Sequence, residues 1–269
     1  MLKSLTCIAT VLALAAPMAG AGEIKNPLTD TGSWIDLKDD VIGAVAPLDG
    51  AALFDFEAPY RAHDAAIVPI RISQSPDAAD ITSLTIVVDE NPAPVVAEIE
   101  FGAAMMPLKF ETRVRVDQYS NVRAIATTKD GVFMDGRFVK ASGGCSAPAT
   151  KDMAAALASI GQMRLKSFGT APAMSGALRE AQIMIRHPNY SGLQRNQVTQ
   201  LFIQAHFINR LEVFQGDEKL FVLDGGISIS ENPVFRFQYR DNGAEAFRIR
   251  AEDTEGNVFE EILSKAAQT

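Results

Sequence analysis

Between residues 52 and 141 apolar and polar residues alternate in seven short runs: "ALFDFEAPY", "AAIVPIRIS", "ITSLTIVVDE", "VVAEIEF", "KFETRVRVD", "NVRAIATT" and "GVFMDGRFVKA". A period of two puts successive side chains on opposite faces of a strand, so each run can bury one face and wet the other. Pro, Gly, Asn and Asp separate the runs, and about seven such strands in roughly 90 residues predict an antiparallel β-sandwich. From Ser142 small residues take over. "DMAAALASIGQMRLK" (152–166) has helical spacing at Met153, Ala156 and Leu157, and "SFGTAPAMSG" (167–176) reads as a Gly/Pro loop. Strand patterns resume with "LREAQIMIRH", "VTQLFIQAHFINRLEVFQG", "KLFVLDG", "GISISEN", "VFRFQYRD", "AFRIRAED" and "NVFEEIL". The expected fold class is therefore all-β, with two β-sandwich domains joined by a linker that carries a short helix. The expected boundaries are 22–145, 146–177 (the linker) and 178–269. Ahead of the first strand, "WIDLKDDVIGAV" (34–45) predicts an amphipathic helix with Trp34, Leu37 and Val41 on one face.

Residues 1–21 read as an export signal. Lys3 supplies a positive start, Leu5 to Ala16 an apolar stretch, and Ala19-Gly20-Ala21 a small-residue cleavage site. No later run reaches the roughly 18 apolar residues of a membrane helix, which predicts an exported protein with no membrane span, in the periplasm. Cleavage would remove Cys7 and leave Cys145 alone of the two cysteines. A single thiol cannot make an internal disulfide, so stability must come from packing. With 33 acidic against 25 basic residues and no basic runs, the chain is a poor nucleic-acid binder.

Cys145 lies in "FVKASGGCSAPATKD" (138–152). Gly143 and Gly144 before it, and Ser146-Ala147-Pro148 after it, suit neither a core strand nor a helix interior. The segment predicts an exposed arm, able to hold the thiol about 15 Å from the body if it stands on feet near Lys140 and Thr150. The bland alternative is a buried cysteine acting as a small hydrophobe. His63, His187 and His206 share no ligand spacing and have no cysteine beside them, which predicts ordinary surface or capping histidines and no metal site. Asp89-Glu90 and Glu260-Glu261 are adjacent on strands and point to opposite faces, so neither makes an acid-base pair. "DENP" (89–92) and "SENP" (230–233) read as Asn-Pro turns. No hydrolase, nucleotide-binding or dinucleotide signature is present, so no catalytic residue and no cofactor is expected.

Two sets of segments carry a resemblance. "IVVDENPAPVVAEIEF" (86–101) and "RVRVDQYSNVRAIATTKDGVFMDGRFVKASGGC" (113–145) resemble SoxY, the periplasmic protein that carries sulfur intermediates on a cysteine in a glycine-rich arm. "IRHPNYSGLQRN" (185–196), "AHFINRLEVFQGDEKLFVLDGGISISENPVFRFQY" (205–239) and "AEDTEGNVFE" (251–260) look like SoxZ, its immunoglobulin-like partner. The whole resembles carrier fusions associated with periplasmic quinoprotein dehydrogenases. The resemblance implies two immunoglobulin-like sandwiches docked on each other and a carrier that is a substrate of enzymes, not an enzyme. It implies Cys145 as the cargo attachment point, an arm of Gly143, Gly144 and Ser146, and periplasmic redox enzymes of cytochrome or quinoprotein type as partners. SoxY ends in glycines after its cysteine, whereas here Ser146-Ala147 and a further domain follow. The competing expectation is a non-covalent docking module for a quinoprotein dehydrogenase or its cytochrome, with Cys145 incidental.

Overall fold

The structure is a computed structural model, and it describes residues 26–29, 32–148, 153–168 and 176–266. The export signal expected at 1–21 lies outside the described residues. Helix α1 (Ser33–Ile42) is followed by β1 (Leu48–Asp49), β2 (Phe54–Glu57), β3 (Val68–Gln74), β4 (Ser83–Val88), β5 (Val95–Phe101), β6 (Lys109–Val114), β7 (Ser120–Thr128) and β8 (Gly131–Val139). Helix α2 (Met153–Ala158) and β9 (Met163–Phe168) lead into β10 (Leu178–Ile185), β11 (Ile208–Gln215), β12 (Glu218–Gly225), β13 (Val234–Arg240), β14 (Ala246–Asp253) and β15 (Val258–Ser264).

The all-β expectation holds, and alternation explains why. β3 buries Val68, Ile70, Ile72 and Gln74 and exposes Pro69 and Arg71, and β14 buries Phe247, Ile249, Ala251 and Asp253. β7 is buried along nearly its whole length, as befits a strand with neighbours on both sides.

The two halves share more than a linker. One sheet runs β1-β8-β7-β4-β5-β12-β11-β14-β15, and the facing sheet runs β2-β3-β6-β13-β10-β9. β5 pairs antiparallel with β12 from Phe101↔Phe221 to Ala97↔Gly225, and β6 pairs with β13 through Phe110↔Phe237. Each half therefore lends the other a partner for a strand edge that would otherwise stay open. Between the sheets Phe110 of the first half meets Phe221 and Phe235 of the second, at ring centroid separations of 5.6 and 6.2 Å. One continuous apolar core spans both halves.

Three local readings change. The helix expected over 152–166 stops at Ala158. Gly161, at φ 80°, turns the chain, and "MRLKSF" becomes the edge strand β9 on β10. "GISIS" alternates yet forms no ladder strand, because the hydroxyls of Ser228 and Ser230 turn inward to the carbonyls of Ala93 and Ala66. In α1 no residue is fully buried, and Trp34 is held by the Arg123 guanidinium, 4.3 Å from its ring centroid, instead of by a core.

Candidate functional site

The end of β8 delivers Ala141 and the segment 142–148 to the junction between the halves. There the expectation of a free-standing arm fails, because Cys145 is fully buried. Gly143 takes φ 77°, the left-handed region in which glycine carries no steric cost. Gly144 lies against the chain: a Cβ there would come 2.2 Å from the Ala65 carbonyl oxygen and 2.7 Å from that of Val116. Gly144 serves close docking and Gly143 the turn that leads into it, where the sequence suggested freedom.

Backbone and side chains of both halves hold the segment. Gly143 N–H donates to the Asp117 carbonyl, Gly144 N–H to the Val116 carbonyl, and Cys145 N–H to Asp117 Oδ1 at 3.1 Å. Arg115 Nη1 donates to the Gly144 carbonyl at 3.1 Å and Nη2 to the Asn189 carbonyl at 3.2 Å, so one guanidinium ties the arm to the second half. Ser191 Oγ donates to the Cys145 carbonyl, and Gln194 Nε2 to the Ala147 carbonyl. Underneath, Asn91 Nδ2 donates to the Arg115 carbonyl and to Ser228 Oγ, while its Oδ1 accepts from Asp117 N–H. The "DENP" segment is thus a buried clip under the arm as well as a turn.

Burial pushes the Cys145 thiol up to about 11, Asp117 adds to the rise, and Arg115 opposes it. In this position the cysteine is a neutral thiol and a poor nucleophile. Arg115 is itself pulled below its usual range, chiefly by burial. Its Nε has no hydrogen-bond partner, and among the described residues no carboxylate reaches ion-pair distance; Glu231 and Asp64 act on it from further away.

Beyond the arm, Ser146 and Pro148 wall a cavity of about 450 Å3 together with Leu193, Arg195, Asn196, Gln197 and Gln200. The adjoining turn exposes Val198, Leu201 and Phe202, at 90%, 70% and 61%. In this turn Asn196 Oδ1 accepts from the amides of Val198 and Thr199, and Arg195 stacks on Phe202. These exposed apolar side chains, in the turn that adjoins the cavity, offer a contact surface.

His63 is exposed, as expected. His187 and His206 are not surface histidines: both are buried, their ring centroids 4.8 Å apart, facing Asp253. His206 Nε2 lies 2.8 Å from Asp253 Oδ2 and His187 Nε2 lies 3.5 Å from it. The three residues form the one candidate metal-ligand cluster among the described residues. Its hydrogen bonding argues against a metal. His187 Nδ1 accepts from Asn189 N–H, so the proton of the neutral ring is on Nε2, the atom a metal would need bare. Burial, then His206, holds the His187 pKa down to about 4. Asp253 is held down at about 2 because hydrogen bonds from Asn257, His206 and the Glu255 amide outweigh its burial. The cluster fastens the β14–β15 turn to the 187–191 segment that supports the arm.

Sequence reasoning found Cys145 and its glycines but missed Arg115, Asp117, Asn189, Ser191 and Gln194. Arg115 occupies a polar slot of "KFETRVRVD", in phase with Lys109, Glu111 and Arg113, and alternation assigns it to solvent. It is 1% exposed because the arm and residues 187–191 cover that face.

Family models match this arrangement in two parts. The sulfur oxidation protein SoxY matches residues 38–145, and the sulphur oxidation protein SoxZ matches residues 168–263. The chain is a SoxY–SoxZ fusion. The first match closes on Cys145 itself, and the second begins in β9, the strand that alternation overlooked. No curated protein matches the chain in sequence. The halves of the fusion are thus two sulfur-oxidation domains that share both sheets.

Proposed function

We propose that this SoxY–SoxZ fusion is a periplasmic covalent carrier. Cys145 holds a sulfur or other thiol-bound intermediate and presents it to periplasmic redox enzymes, which act on the adduct while the carrier itself catalyses nothing. The observation that carries the reading is the end of the SoxY match on Cys145, inside a Gly-Gly-Cys segment that both halves hold. Among the described residues no base is poised beside the thiol as an enzyme would need, since Asp117 spends Oδ1 on the Cys145 amide.

A second reading draws on the exposed Val198, Leu201 and Phe202. In it the protein docks a quinoprotein dehydrogenase or its cytochrome without covalent chemistry, and Cys145 is a core residue. Replacement of Cys145 by Ser in the producing cells separates the two. The carrier reading expects thiosulfate or related sulfur-compound oxidation to stop although the protein accumulates normally. Wild-type oxidation with Cys145→Ser sinks that reading and leaves the docking module.

A further inference from the structure

A second opening has no wall from Cys145 and lies at a corner where the chain changes sheets. β2 ends at Glu57, opposite Arg71 of β3, while β3 runs on to Val68 and pairs there only with β6. From Ala58 the chain crosses instead to β8: Asn26 Nδ2 donates to the Ala58 and Phe138 carbonyls at 3.1 and 2.9 Å, and Lys140 N–H donates to the Tyr60 carbonyl at 2.8 Å. Strands that switch sheets make such corners. Pro69, which has no N–H to leave unpaired, sits on the stretch of β3 that β2 leaves behind. The gap between β3 and the departing chain is a cavity of about 720 Å3.

Charge is unevenly matched around it. Both arginines on the strand side have acids: Arg71 meets Glu57 at 3.2 Å and Glu111 at 3.1 Å, and Arg137 meets Asp135 at 2.9 Å and Asp55 at 3.5 Å. On the loop side the Tyr60 ring has two cations against it, Lys140 Nζ 4.8 Å and the Arg61 guanidinium carbon 5.8 Å from its centroid. Among the described residues no carboxylate lies at ion-pair distance from Arg61, Lys140 or His63. A hydrogen bond from Lys140 lowers the Tyr60 phenol from its ordinary value against the effect of burial, and the charges of Lys140 and Arg61 add to the fall. A phenol oxygen that accepts from Lys140 keeps its own O–H to donate. Two cations unspent on acids, in a chain of 33 acidic and 25 basic residues, make a local attractor for anions.

Volume decides the kind of anion. A cavity of this size suits an organic molecule and would leave a bare inorganic oxyanion without support on most sides. Ala58, Pro59 and Pro69 supply an apolar wall, and the fixed φ of the two prolines stiffens it. We propose that this corner binds a small organic acid, its carboxylate or sulfonate head held by Arg61 and the Tyr60 hydroxyl and its apolar body laid along Ala58, Pro59 and Pro69. Lys140 acts through Tyr60, polarising the hydroxyl that meets the head. The site is built without Cys145 and is independent of the carrier reading.

The test uses residues 22–269 at pH 7 with benzenesulfonate as the probe, read by calorimetry and by backbone amide shifts. The expected result is saturable binding, with shifts gathered at residues 58–63 and 69–71. Inorganic sulfate, which has the charge without the body, and benzyl alcohol, which has the body without the charge, should each bind at least about tenfold more weakly. Arg61→Gln should weaken benzenesulfonate by about tenfold or more, as expected for a lost hydrogen bond between charged groups, and Tyr60→Phe and Lys140→Gln by about 3- to 10-fold. Arg61 is exposed, so its variant keeps the test open if Lys140→Gln disturbs the end of β8. Arg248→Gln, on a cation stacked against Phe214 in the second half, should bind like the unaltered chain. No saturable shift at 58–63, sulfate bound as tightly as benzenesulfonate, or an equal loss in Arg61→Gln and Arg248→Gln overturns the site.

Discussion

Replacing Phe110 by Ala tests whether the two halves are one cooperative unit. Phe110 is 1% exposed on β6, and its ring meets Phe101 of its own half and Phe221 and Phe235 of the other, at 5.7, 5.6 and 6.2 Å. Removing a buried phenylalanine costs about 3–5 kcal/mol in lost transfer free energy and cavity, and these aromatic pairs place Phe110 toward the upper end. With a urea slope of about 3 kcal/mol per molar for a chain of this size, the unfolding midpoint should fall by more than about 1 M. Two reporters read the halves separately. The single tryptophan, Trp34, stacks on Arg123 in the first half, and hydrogen exchange across β14 reports the second. Because β5–β12 and β6–β13 carry both sheets across the junction, both reporters should shift together. Two separate transitions, with only the Trp34 signal displaced by Phe110→Ala, would refute the shared-core reasoning.

Gly144→Ala should hold the arm open, since the added Cβ meets backbone oxygens that cannot yield; N-ethylmaleimide labelling of Cys145 should rise more than tenfold, and unchanged labelling contradicts the docked arm. Residues 22–177 produced alone lose the strands that cover β5 and β6, so they should elute as aggregates on size exclusion; a well-behaved monomer counts against the shared sheets. His187 has a folded pKa of about 4 against 6.5 unfolded, so below pH 6.5 the unfolded chain binds a proton that the folded chain refuses. Stability should therefore fall as pH drops from 6.5 to 4, by at most about 3 kcal/mol from this group. Urea midpoints at several pH values should show the slope, and His187→Gln should flatten it.

Alternation found the strands because a half-buried strand writes its two faces into the chain one residue at a time, and β5 was legible to its boundaries in "VVAEIEF". β9 was hidden because "MRLKSF" directly follows an alanine-rich helical pattern, and only Gly161 marks the change. The candidate site was half legible. Gly143, Gly144 and Cys145 are contiguous and chemically distinctive, but their cradle is assembled from Arg115, Asn189 and Ser191, which are ordinary polar residues in local context. What makes them a site is contact across 29 to 74 positions of chain, and no local pattern carries that. The same reasoning misjudged the arm. Small residues on both sides of Cys145 were consistent with exposure and with tight docking alike, and the approach of Gly144 to Ala65 and Val116 decides for docking.

The carrier account is tested most directly by the intact mass of the native protein, purified from the producing cells during sulfur-compound oxidation and measured with and without reductant. The account predicts a mass increment that reductant removes, mapped by peptide analysis to Cys145. An unmodified thiol throughout active oxidation would contradict it.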